Sequence, residues 1–125
     1  MATTLLVAMG LARILIGLVP FVATTHALRA LAVPVSHDNP TGRLMARLFG
    51  MRDIGLGVLV FWATTLPEAL GFVLLFNAAT DFGDAGSALV PLVKRQGIDR
   101  AAGFTTALAG SAGLLWLAVW WWTRS

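Results

Sequence analysis

Apolar runs of about twenty residues, the length that crosses a hydrocarbon core as one helix, recur four times along this chain. In lipid such runs satisfy their own backbone hydrogen bonds only as helices, so the expected fold is all-α, an integral membrane four-helix bundle. Composition points the same way: of 125 residues, 58% are hydrophobic and 12% charged, too few charges to cover a soluble domain. One such bundle uses the whole chain, so residues 1–125 are expected to form a single domain. The absence of cysteine excludes disulfides, thiolate metal sites and cysteine nucleophiles. A net charge of +3 is no nucleic-acid signal, because the basic residues stand at the ends of the apolar runs rather than in one patch. The first run has no basic leader, contains Arg13 and is too long for a signal-peptide core, so it reads as a retained helix.

The spans are placed at about 4–28, 44–64, 67–90 and 101–122. Pro20 is expected to kink the first. Asn39 before Pro40 reads as a helix cap followed by proline at the first helical position. Thr65 with Glu68 matches a capping box opening the third helix, which Pro91 is expected to end. Arg29, Arg43 and Arg47 border one connection and Lys94, Arg95 and Arg100 another, against Arg124 and the N-terminal amine at the opposite end. The positive-inside rule then puts both termini on the non-cytoplasmic side. Trp62, Trp116, Trp120, Trp121 and Trp122 are expected to form an interfacial belt at that end.

Charges also occur inside the runs. From Leu44 to Asp53 the helix rises roughly 13 Å, against about 30 Å of hydrocarbon, so Arg52 and Asp53 fall near the midplane. Arg13 does so in the first span. In the third, Asn77, Asp81 and Asp84 follow i, i+4, i+7 spacing and share one face. The fourth span supplies no ionisable group at that depth. Charges there are costly in lipid and must face one another, water or a ligand. Arg52 and Asp53 point about 100° apart around their helix, so they serve different partners. Two arginines against three aspartates leave −1 if all ionise, so at least one carboxyl group is expected to hold a proton near neutral pH.

Other features carry less chemistry. His26 and His37 lie near the cytoplasmic edge without further ligands at workable spacing, so no metal site is expected. Their depth also excludes a Ser-His-Asp triad. Gly10 and Gly17 flank Arg13, Gly55 and Gly57 follow Asp53, and Ala102, Thr106, Ala107, Gly110 and Ser111 make small-residue patterns in the last span; all read as packing positions. Within a helix, "GLG" is no phosphate loop.

"LARILIGLVPF" in the first span resembles the opening helix of DoxX-like small membrane proteins, and "FGMRDIGLG" is similar to the FG-x-RD-x-x-LG segment of a related, uncharacterised bacterial and fungal family of four-helix proteins. "ATDFGD" stands where that family tends to place an aspartate. The resemblance covers most of the chain and implies a four-helix membrane bundle, with Arg52, Asp53 and Asp81 as its most specific positions. Some fungal relatives occur in natural-product pathways, which implies chemistry on a lipophilic small molecule.

Three functions follow. The first is an intramembrane enzyme acting on a terpenoid, polyketide or lipid, with Asp53 and Asp81 as acid and base, Arg13 and Arg52 orienting them, and Asn77 and Asp84 lining the substrate site. Epoxide opening, of the kind limonene-type epoxide hydrolases perform on another fold, fits that set, as does isomerisation or cyclisation. No cofactor is expected. The second is a structural or accessory subunit, and the third a proton-coupled carrier, although Arg13 stands where small multidrug exporters usually carry glutamate. The expected partners are the lipid bilayer, a hydrophobic small molecule and a second copy of the chain, with no nucleic acid. The expected location is a bacterial plasma membrane.

Overall fold

The computed structural model describes residues 2–124, all of their regular structure helical; Met1, whose amine entered the orientation count, lies outside the described residues. Four long helices and one short one follow in order: α1 (Ala2–Val22), α2 (Thr24–Ala30), α3 (Pro40–Thr64), α4 (Pro67–Val93) and α5 (Asp99–Arg124). A single 3-10 turn, Val35–His37, precedes α3. Helices α1 and α5 are long and apolar enough to cross a membrane. Helices α3 and α4 match them in length and carry the internal aspartates.

Helix ends show where local signals decide and where they do not. Asn39 caps α3 as expected, its Oδ1 accepting from Gly42 N at 2.8 Å with Pro40 in the first turn. The expected first span is not one helix: it breaks at Ala23, three residues after Pro20. There Thr24 Oγ1 donates to the Pro20 carbonyl at 2.7 Å and satisfies a backbone acceptor at the break. The capping box does not form. Leu66 is the cap of α4, while the Thr65 hydroxyl turns back to Trp62 O at 2.7 Å. Pro91 does not end α4 but sits in its last turn, and Gln96 N closes a Schellman bond onto Pro91 O at 3.0 Å around Arg95, at φ 51°. Helix α2 ends the same way, with Val33 N on Leu28 O at 3.0 Å around Ala32, at φ 61°. Both left-handed positions hold residues other than glycine.

Packing divides the molecule into two intimate antiparallel pairs, α1 with α3 and α4 with α5, joined by a sparser α3–α4 contact. Glycines close the first pair. A Cβ on Gly57 would fall 2.6 Å from Gly10 O, and Gly17 and Gly50 are likewise carbonyl-to-glycine neighbours one heptad along. These two close approaches bracket Arg13 and Asp53, so the glycines hold the backbones near enough for that pair to meet. The expected small-residue contact at Gly110 is absent among the described residues; in α5 it is Gly113 that packs, against the ring of Phe82. Leu6, Val60, Ala63, Val73, Leu74, Ala78, Trp116 and Val119 form an apolar core toward the chain termini. The charges lie just beyond it.

Burial runs opposite to that of a water-soluble helix. In α1, Arg13 is 6% exposed, while Leu15 and Ile16 are 53% and 56% exposed. Large apolar side chains such as Phe72, Val93 and Leu114 likewise face outward on α4 and α5.

Candidate functional site

Arg13 is the centre of the site. Its position between Gly10 and Gly17 turns it toward α3 and α4. Nη1 and Nη2 fork onto Asp81 at 2.8 Å each, and Nη2 also donates to Asp53 Oδ1 at 3.2 Å. All three residues are buried, and they come from three helices. Their formal charges sum to −1, so the surplus negative charge expected for the larger cluster falls within this triad. Asp81 has both oxygens engaged by the fork. Asp53 has one: among the described residues no donor reaches its Oδ2.

Arg52 and Asp53 diverge as their spacing requires. Arg52 forks onto Asp84 with bonds of 2.9 and 2.7 Å and touches Asp53 Oδ1 only at 3.6 Å. This second fork is neutral in sum and open at its edge, and its guanidinium lies 4.7 Å from the Phe49 ring centroid. The order is therefore Asp84, Arg52, Asp53, Arg13, Asp81, one continuous chain from a half-buried end to a buried one.

Asn77, expected beside Asp81 on a substrate-lining face, is fully buried one turn away on α4. Its Nδ2 donates to Val73 O at 2.9 Å, and its Oδ1 is unpartnered. Asp84, expected to line the same face, is taken up by Arg52.

Trp116 is the residue that sequence reasoning missed. Expected in the interfacial belt, it is instead buried in the core, with its ring centroid 5.7 Å from the Arg13 guanidinium carbon. Helix α5, which supplies no charge, thus supplies an aromatic face to the central cation. The signal was its position: Trp116 stands one turn before Trp120 to Trp122, deeper than a belt residue needs to be.

Two surface hollows lie away from the triad. One of about 260 Å³ is formed by the connections around Ala32 and Gly97. The other, about 270 Å³, is lined by Leu59, Trp62, Ala69, Phe72, Val73 and Phe76 between α3 and α4. Among the described residues no group of three His, Asp or Glu side chains is placed to hold a metal ion.

Fold and site together define an all-helical protein built around one arginine shared by two buried aspartates. Residues 10–123, which include every residue of the triad and its neighbours, match the family described as a domain of unknown function, DUF4267, and the chain belongs to that family. No curated protein matches the chain, and no solved structure does.

Proposed function

We propose that this chain is an integral four-helix membrane protein whose Arg13–Asp53–Asp81 triad performs acid–base chemistry on a hydrophobic small molecule. The addition of water to an epoxide is the reaction that suits it best. The observation that carries the reading is the unequal grip of one arginine on two buried carboxylates, Asp81 by two bonds of 2.8 Å and Asp53 by one of 3.2 Å. Membrane insertion is supported by the inverted burial of α1 and by the apolar lengths of α1 and α5. The basic connections support a topology with both termini on the non-cytoplasmic side, as does the exposure of Trp62, Trp121 and Trp122 toward that end. The location that follows is a bacterial plasma membrane. The first-helix motif adds kinship with the DoxX-like proteins to this reading.

The grip assigns the roles. Asp81, forked by Arg13, is the ionised partner, and the proton shared by the two carboxyl groups rests on Asp53 Oδ2. Asp81 takes a proton from water, and the water oxygen attacks an epoxide carbon. The carbon–oxygen bond of the ring breaks, and Asp53 gives its proton to the departing oxygen. The products are a vicinal diol, an ionised Asp53 and a protonated Asp81, and proton exchange between the two resets the site. Isomerisation or cyclisation of a terpenoid or polyketide would use the same donor on a different oxygen.

The test is turnover of a panel of long-chain epoxides by the full chain in lipid nanodiscs, with oxygen-18 water. The expected product is a diol carrying one heavy oxygen. Asp53→Asn and Asp81→Asn should each lower its formation by about 100-fold or more, with helical content unchanged. Turnover retained in both variants sinks the reading.

A structural lock is the second reading, favoured by the complete pairing of both arginine forks and the glycine contacts beside them. It expects the doubly reversed variant, Arg13→Asp with Asp81→Arg, to keep both stability and the cellular phenotype.

A further inference from the structure

Two buried polar atoms next to the triad have no hydrogen-bond partner: Arg13 Nε and Asn77 Oδ1. Each alone is costly, because a buried donor or acceptor left unpaired has given up water without a replacement. They are complementary, one a donor and the other an acceptor. Asp81 relates them, as Arg13's partner and Asn77's neighbour. Asp81, which Arg13 forks, and Asn77 lie one turn apart on the same face of α4, about 5–6 Å between their Cβ atoms. The amide orientation is fixed, since Nδ2 donates to Val73 O and a carbonyl oxygen only accepts. Asn77 Oδ1 therefore points away from the backbone of its own helix.

We infer that Arg13 Nε and Asn77 Oδ1 together bind one hydroxyl group, that of a water molecule or of a lipophilic alcohol. The pairing of atoms selects this chemistry. Arg13 Nε needs an acceptor, and Asn77 Oδ1 needs a donor. A ketone, ether or epoxide oxygen satisfies the first and leaves the second unpaired, whereas a hydroxyl satisfies both. A single oxygen with two hydrogen bonds of about 2.8 Å bridges partners up to about 5.6 Å apart. Asp53 lends a third contact: with both Nη groups turned to Asp81, the Nη2 hydrogen it accepts lies on the same edge of the guanidinium as Nε. A buried water makes about three such bonds.

What the hydroxyl does rests on the enzyme reading above. In that reading a bound hydroxyl is the nucleophile rather than the electrophile, so among the reactions considered it favours hydrolysis over isomerisation. Binding itself does not depend on turnover, and the test keeps the two apart.

The full chain, labelled at arginine side-chain nitrogens and reconstituted in nanodiscs, is observed by NMR with water and then with 1-octanol as probes. The expected result is a cross-peak between Arg13 Nε–H and water protons that disappears in Asn77→Leu. A saturable shift of Arg13 Nε–H on adding octanol, with loss of the water cross-peak, supports the same site with an alcohol as its occupant. Melting supplies a second readout: Asn77→Leu lowers the transition temperature if a hydroxyl bridges the two atoms, and raises it if Oδ1 is a bare orphan. Absence of both the water cross-peak and the octanol shift in the wild type overturns the inference, whether or not the variant folds. If the cross-peak is present while the Asp53 and Asp81 variants keep full turnover, the enzyme reading fails and the hydroxyl site stands.

Discussion

Arg13 and Arg52 make almost the same bonds. Each forks onto an aspartate of α4, the first with contacts of 2.8 and 2.8 Å and the second with 2.9 and 2.7 Å. Their surroundings differ. The Arg13 side chain is 7% exposed, beneath Trp116 and against a second carboxylate, whereas that of Arg52 is 38% exposed. Bond geometry alone would rank them as equals. Enclosure by protein and the number of carboxylates held separate them, since Arg13 contacts two buried carboxylates and Arg52 forks one that is partly exposed. A third contact, from Arg43 in the first turn of α3 to Asp38 in the connection before it at 2.6 Å, carries the series outward to a side chain 45% exposed.

Substitutions along that series test the contrast, and the deepest should cost most. Arg13→Met leaves Asp81 unpaired and Asp53 with only its 3.6 Å contact to Arg52, and is expected to destabilise the protein by about 3–5 kcal/mol, read as a fall in thermal midpoint in nanodiscs. Adding Asp53→Leu and Asp81→Leu to it should restore stability to the wild-type level or above. A triple variant as unstable as Arg13→Met would show that the triad's value is not electrostatic. Arg52→Met removes the fork from one partly exposed carboxylate rather than two buried ones and should cost less than Arg13→Met, and an effect equal to that of Arg13→Met would erase the distinction.

Asp38→Asn is the smallest of the three, and pH exposes it. The hydrogen bond from Arg43 holds the Asp38 carboxyl below its ordinary value. A depressed carboxyl contributes stability above the unfolded value of about 3.9 and loses that contribution as pH falls through the folded value. The difference in melting temperature between wild type and Asp38→Asn should therefore close on acidification and persist near neutrality.

The contrast between the two arginines was only half legible in the chain. The 100° step between Arg52 and Asp53 follows from helix geometry, so their separate partners could be read without coordinates. The identity of those partners could not. Helical spacing says that Asp81 and Asp84 share a face, but the register of α1 and α3 against that face decides which arginine each receives. Gly10 against Gly57 and Gly17 against Gly50 fix α1 against α3, and separate contacts fix α4; a single sequence encodes neither as a pattern. Helix ends divided similarly. Asn39 and Pro40 act within one turn and were readable, while α2 and α4 close on Ala32 and Arg95, where no glycine marks the left-handed residue. Trp116 was misplaced because hydropathy assigns tryptophan to an interface, whereas a cation arriving from α1 draws it inward.

The sequence distances across the triad also set a clock. Asp53 follows Arg13 by 40 residues and Asp81 by 68. At a synthesis rate of about 5–20 residues per second, the guanidinium is made roughly 2–8 s before its first counter-charge and roughly 3–14 s before its second. For that interval α1 exists as an apolar helix with an unneutralised cation at its centre. Its final seat is vacant until α4 has emerged, so α1 is made before both of its charge partners and is among the last of these helices to settle.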